Sequence, residues 1–393
     1  MSRGITRNIY LLGFLSLFND LTSDMITPLL PVFLVSMGLG AGFLGVMEGL
    51  ANSLSHMVVL FSGWLADRGA DNKKLTVRGY WLAAISRLFI AIPHPAVVLL
   101  ARLSDRVGKG IRTAPRDNLM THSAEPAFWG KAFGVQRAMD HTGALIAPLL
   151  AAWLLSTYHL KLSWLFLIAC IPALISVLVI PPYLKPVVTK DNLLTEKFVW
   201  KTMPKALRRY VLIIFLSALS TPSELFLILK MQNMGLSEYK VPLAWFVLTL
   251  FTLVASYLGG LLSDRFSRRR IIALGWLIFT VAFVAFAFNQ DLRWAWFWLA
   301  IYGIHLGILE ASERVYAIMT VPAGNRATAL GWYYFAYGVG LFPASFLFGI
   351  LWNTVSVRFA FLFNAGLTLI IIPLLFVLPS SSGVTKPEHA NVE

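Results

Sequence analysis

Charge is scarce in this chain. Of its 393 residues only 13% are Asp, Glu, Lys or Arg, against about 25% in a soluble domain, and the mean hydropathy is +0.71. Such a composition cannot clothe a water-soluble surface, which excludes a soluble enzyme, a disordered protein and a secreted disulfide scaffold. Cysteine is nearly absent: Cys170 stands alone, so neither an intrachain disulfide nor a four-cysteine metal site can form. No glycine loop of the GxxxxGK[ST] type is present, which argues against direct ATP drive. Paired His or Cys spacing is also missing. Asp20, Asp24, Met25, His56 and His141 are the possible metal ligands, and nothing in their spacing supports a centre. We expect no metal and no cofactor. No nucleophile–base constellation survives a spacing test, so a membrane-embedded enzyme is not expected either.

What the chain has in abundance is apolar sequence, 58% of the total. A membrane helix needs roughly 20 mostly apolar residues. Twelve segments qualify: 9–37, 41–65, 77–93, 95–117, 130–156, 162–183, 210–233, 242–263, 271–288, 293–319, 327–352 and 357–378. The first follows Arg3 and Arg7, as a signal peptide would. Asp20 and Asp24 interrupt it, however, and its apolar pattern continues beyond them, so it reads as a retained helix.

The excess of basic over acidic residues, 33 − 19 = +14, would suggest nucleic acid in a soluble protein. Here it sits in alternate connections. One set holds Arg3, Arg7, Arg68, Lys73, Lys74, Arg78, Arg116, Lys131, the run from Lys185 to Arg209, Arg265, Arg268, Arg269, Arg270 and Arg326. The other holds little beyond Lys161, Lys240, Arg293 and Arg358. The basic set should face the cytoplasm, which puts both termini inside and makes no demand for nucleic acid. The longest connection falls at the midpoint. The expected organisation is an all-α membrane protein with a bundle over 1–184, a linker over 185–209 and a second bundle over 210–393.

The halves repeat at an offset of 197. Met37-Gly38-Leu39 recurs as Met234-Gly235-Leu236 and Asp67-Arg68 as Asp264-Arg265, while Gly63, Gly110, Gly134 and Gly143 recur as Gly260, Gly307, Gly331 and Gly340. Two parallel repeats about an axis normal to the membrane describe a secondary transporter with a midplane site.

Gly63-Trp-Leu-Ala-Asp67-Arg68, followed by Lys73-Lys74, and its second copy Gly260-Leu-Leu-Ser-Asp264-Arg265, followed by Arg268-Arg269-Arg270, resemble the loop 2–3 signature of the major facilitator superfamily. In the first copy Gly69-Ala-Asp-Asn replaces the usual short Gly-Arg step. Arg106-x-x-Lys109-Gly110 is similar to the fourth-helix Arg-x-x-Gln-Gly motif, with lysine for glutamine. Gly143-x-x-x-Ala147-Pro148 looks like a degraded fifth-helix Gly-x-x-x-Gly-Pro motif of antiporters. Asp20-x-x-Ser23-Asp24-Met25 and the run from Asp105 to Asp117 (D-R-x-G-K-G-x-R-x-x-P-R-D) resemble a bacterial subgroup of largely unassigned transporters. The resemblance implies two pseudo-symmetric six-helix bundles in a bacterial inner membrane. It also implies a central cavity lined by the first, fourth, seventh and tenth helices, and gating roles for Asp67, Arg68, Asp264 and Arg265.

Ionisable groups inside spans are costly and usually face protein or water. Asp20 and Asp24 lie one turn apart on one helical face. With Asp105 and Asp140 they are the candidate proton-coupling acids. Arg102, Asp105, Arg106, Lys109, Arg112 and Arg116 fall at spacings of three and four, one stripe that cannot face lipid. Arg102, Arg106 and Lys109 are the candidate anion contacts, since arginine suits carboxylate or phosphate. The alternative is that neighbouring acids neutralise them. Opposite them, Glu224, His305 and Glu310 are candidate substrate contacts, Glu224 and Glu310 serving either as a second proton site or for a cationic part of the substrate. By the repeat offset Arg116-Asp117 corresponds to Glu313-Arg314, and with Arg112 these are expected at an inner gate. Arg137 and Asp140 are spaced to pair with each other, and Arg87 reads as a packing or pairing residue.

These features describe a proton-coupled carrier, acting as a monomer, of a small organic anion or zwitterion. A polycarboxylate or siderophore is one such cargo. Proton-driven export of a drug, lipid or amphiphile is a second reading, and a non-turning-over receptor a third.

Overall fold

The computed structural model describes residues 6–125, 128–185, 200, 203–321 and 326–378. The side chains of residues 67, 130, 260–265, 311, 326 and 327 lie outside the described set. Most of the expected linker, 185–209, lies outside it as well. The described residues form helices and turns with no β-strand, as they must where no water is available to hydrogen-bond an open backbone.

Fourteen α-helices follow one another: α1 Arg7–Ile26, α2 Leu30–Ser36, α3 Ala41–Asp67, α4 Asn72–Ile90, α5 Pro95–Thr121, α6 Trp129–Tyr158, α7 Leu162–Val179, α8 Lys205–Leu219, α9 Leu225–Asn233, α10 Val241–Arg265, α11 Arg268–Phe288, α12 Leu292–Met319, α13 Arg326–Thr354 and α14 Val357–Ile371. Eight stretches are long and apolar enough to cross a membrane, within α3, α6, α7 and α10–α14.

Two expected spans are not single helices. The span 9–37 breaks at a 3-10 turn over Thr27–Leu29, and 210–233 breaks over residues 220–224. Pro28 and Pro31 in the first, and Pro222 in the second, lack the N–H that would continue the helical ladder. The breaks share the repeat register, since 27 + 197 = 224.

The repeated Met-Gly-Leu triplets end α2 and α9. Gly38 (φ +76°) and Gly235 (φ +93°) adopt the left-handed conformation. The amide of Leu39 donates to the Leu34 carbonyl at 2.9 Å and that of Leu236 to the Met231 carbonyl at 3.0 Å, which closes each helix with a glycine cap. Gly69 (φ +84°) ends α3 in the same way. Two residues later Asp71 caps α4 by accepting from the Lys74 amide at 3.0 Å. The departure from the family's loop pattern is therefore a turn with its own chemistry.

Helix contacts obey the repeat. In the first half α1 packs on α6 and α7, α3 on α5, and α4 on α5 and α7. In the second, α8 packs on α13 and α14, α10 on α12, and α11 on α12 and α14. The crossings use the repeated glycines. A Cβ on Gly110 would lie 2.8 Å from the Ser55 carbonyl oxygen, and one on Gly307 only 2.3 Å from that of Thr252, the offset image of Ser55. Lipid offers no hydrophobic drive between helices, so close backbone approach at small residues supplies the packing. Across the halves α3 meets α13 and α6 meets α10, again images of each other.

The two ends differ. Opposite the basic connections, one continuous apolar cluster draws on both halves, including Leu30, Phe33, Phe166, Phe226, Phe283 and Phe348. At the basic end the core divides. One cluster, around Leu12, Tyr80 and Val177, belongs to the first half, and another, around Tyr210, Trp276 and Tyr333, to the second. The buried apolar core is shared by the halves at one end and divided between them at the other.

Candidate functional site

The fourth expected span, α5, presents its charges over a wide arc, and the structure divides them. Arg102 is sealed, with 1% of its surface exposed. Its Nε and Nη2 donate to the two oxygens of Glu48 at 2.7 and 3.1 Å, and its Nη1 donates to Thr27 Oγ1 at 3.2 Å. Asp105 accepts from Arg87 Nε at 2.8 Å. Arg87 Nη1 also donates to the carbonyl and side-chain oxygens of Asn19 at 2.9 and 3.0 Å. Two arginines and two acids thus form a buried set with no net charge that ties α1, α3, α4 and α5 together. Pairing and hydrogen bonding are what make such burial tolerable. Arg87 is a pairing residue, as expected. Arg102 and Asp105, expected as a substrate contact and a proton-coupling acid, lie within this internal network.

Arg112 is buried with its guanidinium 4.6 Å from the Tyr80 ring and its Nη1 without a hydrogen-bond partner. Arg116 donates to Asp117 at 3.0 Å and to Ser16 Oγ at 3.0 Å. Like Arg112, neither Arg106 nor Lys109 makes an ion pair within 4 Å among the described residues; Arg106 Nε is buried without a hydrogen-bond partner, and Lys109 is exposed. Facing them, Asp24 accepts no hydrogen bond or ion pair among the described residues and lies in the field of Asp20, Lys109 and Arg106. Asp20 accepts from Asn19 at 3.0 Å. Asp140 accepts from Gln136, and its other oxygen is buried without a partner.

The second wall encloses a cavity of about 260 Å³ lined by His56, Ser217, Thr221, Thr252, Trp276, His305, Glu310, Glu313, Arg314, Tyr333, Tyr334 and Tyr337, with Leu306 and Leu309. His56, from the first half, stacks on Tyr334 at 5.9 Å between ring centres and meets Tyr337 edge-on at 5.7 Å. His305 Nδ1 lies 2.8 Å from the Gly275 carbonyl. Glu313 is buried, not placed at a solvated helix end, and accepts from Trp276 Nε1 at 3.1 Å and the Tyr333 hydroxyl at 2.9 Å. Glu310 lies 3.5 Å from Arg314 and 3.6 Å from Arg137. Arg137 therefore reaches across the halves and does not pair with Asp140. Glu224 stands at the break before α9, in the field of Glu48, Arg106 and Arg102.

The expected pairing of Arg116-Asp117 with Glu313-Arg314 does not occur in this conformation, because each partner is engaged within its own half. Arg68 lies 4.0 Å over the Trp64 ring at the end of α3. The side chains of Asp67, Asp264 and Arg265 lie outside the described residues. Sequence reasoning missed Glu48, although it interrupts the apolar run Leu44–Leu50 by the same logic that singled out Arg102. It also missed Trp276 and the cluster Tyr333, Tyr334 and Tyr337, since rings are inconspicuous in a chain that is 13% aromatic.

Comparisons with known proteins fit this geometry. The family model described as Major Facilitator Superfamily matches residues 12–248 and 212–392. An uncharacterised MFS-type transporter of Methanocaldococcus jannaschii is 31% identical over 387 residues, covering 95% of this chain and 96% of that protein. The multidrug resistance protein MdtH of Photorhabdus laumondii is 30% identical over 158 residues, 39% of each chain. Among solved structures, a bacterial homologue of the human lysosomal transporter Spinster, inward-facing and occupied, superposes with a TM-score of 0.76 at 15% identity, covering 96% of both chains. The human organic anion transporter MFSD10 superposes at 0.67 and 15% identity, covering 94% of this chain and 99% of that one.

Proposed function

The chain belongs to the major facilitator superfamily, a family of membrane transporters and not of enzymes, and we propose on that footing that it is a secondary active carrier of a small organic anion or zwitterion. It works by alternating access across a cytoplasmic membrane and is coupled to protons. In this reading the twelve apolar segments all cross, including the two broken ones and the charged α4 and α5. The halves 1–184 and 210–393 are the rocking bodies, and the chain acts as a monomer.

One observation carries the proposal. The halves share a single apolar core at one end and separate cores at the basic end. Arg106 and Lys109, cations without an ion pair among the described residues, act on the unpartnered acid Asp24. By the positive-inside rule the end with divided cores is cytoplasmic, and we read the conformation as inward-facing. An arginine and a lysine without internal partners suit a carboxylate or phosphate, and Asp24 is the acid free to exchange a proton when the cavity changes sides. At about 260 Å³ the cavity is smaller than most ligand pockets, about 300–1,000 Å³. Proton-driven drug export is the second reading, favoured by the aromatic lining and by the partial likeness to MdtH.

Transport in proteoliposomes under an imposed pH gradient tests the proposal. Asp24→Asn should abolish proton-driven accumulation and retain exchange. Full accumulation by that variant would remove Asp24 from the mechanism. Arg106→Gln should weaken anionic cargo more than neutral cargo, and equal effects on both would make Arg106 structural.

A further inference from the structure

Two acids line the cavity, and their surroundings differ. Glu310 has two bases beside it, Arg314 at 3.5 Å and Arg137 at 3.6 Å. Glu313 has no base within 4 Å among the described residues. Arg314, its neighbour in sequence, is turned to Glu310 and to the Tyr334 ring. Glu313 is 3% exposed, and its oxygens accept only from neutral groups, Trp276 Nε1 at 3.1 Å and the Tyr333 hydroxyl at 2.9 Å. Its offset image in the first half is Arg116, which has Asp117 at 3.0 Å. The base in the first half is compensated and the acid in the second is not.

A carboxylate held out of water without a cation is expensive, and a proton is the smallest group that removes its charge. The two donors are not equivalent. An indole N–H can only donate, so the carbonyl oxygen of a protonated Glu313 stays on Trp276. A phenol donates or accepts, so the new O–H can turn to Tyr333 and reverse that bond. The pocket holds Glu313 with or without its proton and keeps both contacts.

We propose that Glu313 is a second proton-carrying acid, loaded and unloaded through the cavity it lines. This assignment rests on the proton-coupled reading above and adds to Asp24, in the first half, an acid in the second. The step is a bare proton transfer, in which one carboxylate oxygen gains the proton and the Tyr333 hydroxyl turns from donor to acceptor. Glu310 and Arg314 lie on the same helix and in the same cavity, with His305 a turn or two earlier. The helices packed around it bring His56 from α3, Tyr210 from α8, and Tyr333, Tyr334 and Tyr337 from α13. The lining groups from α10 and α11, Thr252 and Trp276, do not titrate. The contact of Glu310 with Arg137 reaches across the halves, so a rocking motion that breaks it changes the charge around Glu313.

Infrared difference spectroscopy of the protein in proteoliposomes, between mildly acidic and mildly alkaline buffer, tests this with the proton itself as the probe. The wild type should show a protonated-carboxyl band that changes with pH, is lost in Glu313→Gln and survives in Asp24→Asn. Glutamine reproduces the protonated pattern, with its oxygen toward Trp276 and its amide donating to Tyr333, so this variant should fold. Trp276→Phe should shift the frequency of the same band, because the carbonyl loses its donor, and it serves where Glu313→Gln does not fold. A spectrum from Glu313→Gln with no acid band missing, or a Trp276→Phe spectrum with no band shifted, would overturn the proposal. So would a Glu313 band that stays constant with pH, since the acid would then be permanently protonated. Proton uptake counted with an indicator dye separates this proposal from the reading beneath it. Loss of uptake in Asp24→Asn alone would remove Glu313 only, and loss in neither variant would sink proton coupling as a whole.

Discussion

Replacing Glu48 with alanine should destabilise the protein far more than removing both Glu48 and Arg102. Each residue is 1% exposed, and the carboxylate takes two of the guanidinium's donors, at 2.7 and 3.1 Å. Without it Arg102 keeps Thr27 at 3.2 Å and an oxygen of Asp105 at 3.7 Å, an acid already claimed by Arg87. A buried charge left with such thin compensation costs about 3–5 kcal/mol. In a chain of this size that corresponds to a fall in melting temperature on the order of 5–10 °C. The double variant Glu48→Met/Arg102→Met replaces the pair by apolar groups of similar length and should recover most of the loss, since such replacements are often neutral or better. The single buried thiol of Cys170 provides the assay. A thiol-reactive dye in detergent reports unfolding without an introduced label. Two results would refute the reasoning. A single variant melting within about 1 °C of the wild type would mean that Arg102 has access to water. A double variant as unstable as the single one would mean that packing, not the orphaned charge, is what Glu48 supplies.

The seal between the halves yields a conformational prediction. A Cβ on Gly45 would lie 2.3 Å from the Ser345 carbonyl oxygen, so Gly45→Val should wedge α3 from α13 at the end opposite the basic connections. A cysteine placed by Phe33→Cys should then react with a membrane-impermeant maleimide, and should stay protected when Gly45 is intact. Asp71 gives a pH-dependent prediction outside the membrane. The Lys74 amide donating to its carboxyl holds it below the usual carboxylate range. Its capping contribution is therefore present at neutral pH and lost as the pH falls through that depressed value, and Asp71→Ala should cost about 0.5–2 kcal/mol at pH 7. Thermal melts of wild type and variant should converge in acid, and a constant difference down to pH 2 would exclude the cap as the cause.

The amino-acid order alone determined the membrane class, the helical content, the repeat and the family. Each of those rests on signals that are local or periodic: apolar runs of membrane length, basic residues in alternate connections, and motifs repeated at one offset. The breaks at 27–29 and 220–224 were also within reach through Pro28, Pro31 and Pro222. Proline alone would have misled, however, because Pro115, Pro148, Pro172 and Pro343 lie inside unbroken helices. Which charges are free was decided only by tertiary structure. Arg102 and Arg106 lie four residues apart on one stripe, yet Arg102 meets an acid 54 residues away and Arg106 meets none within 4 Å among the described residues. The bilayer interior makes every unpaired charge expensive, so a side chain's role is set by what the neighbouring helix presents at the same depth. Spacing along one helix cannot encode that partner.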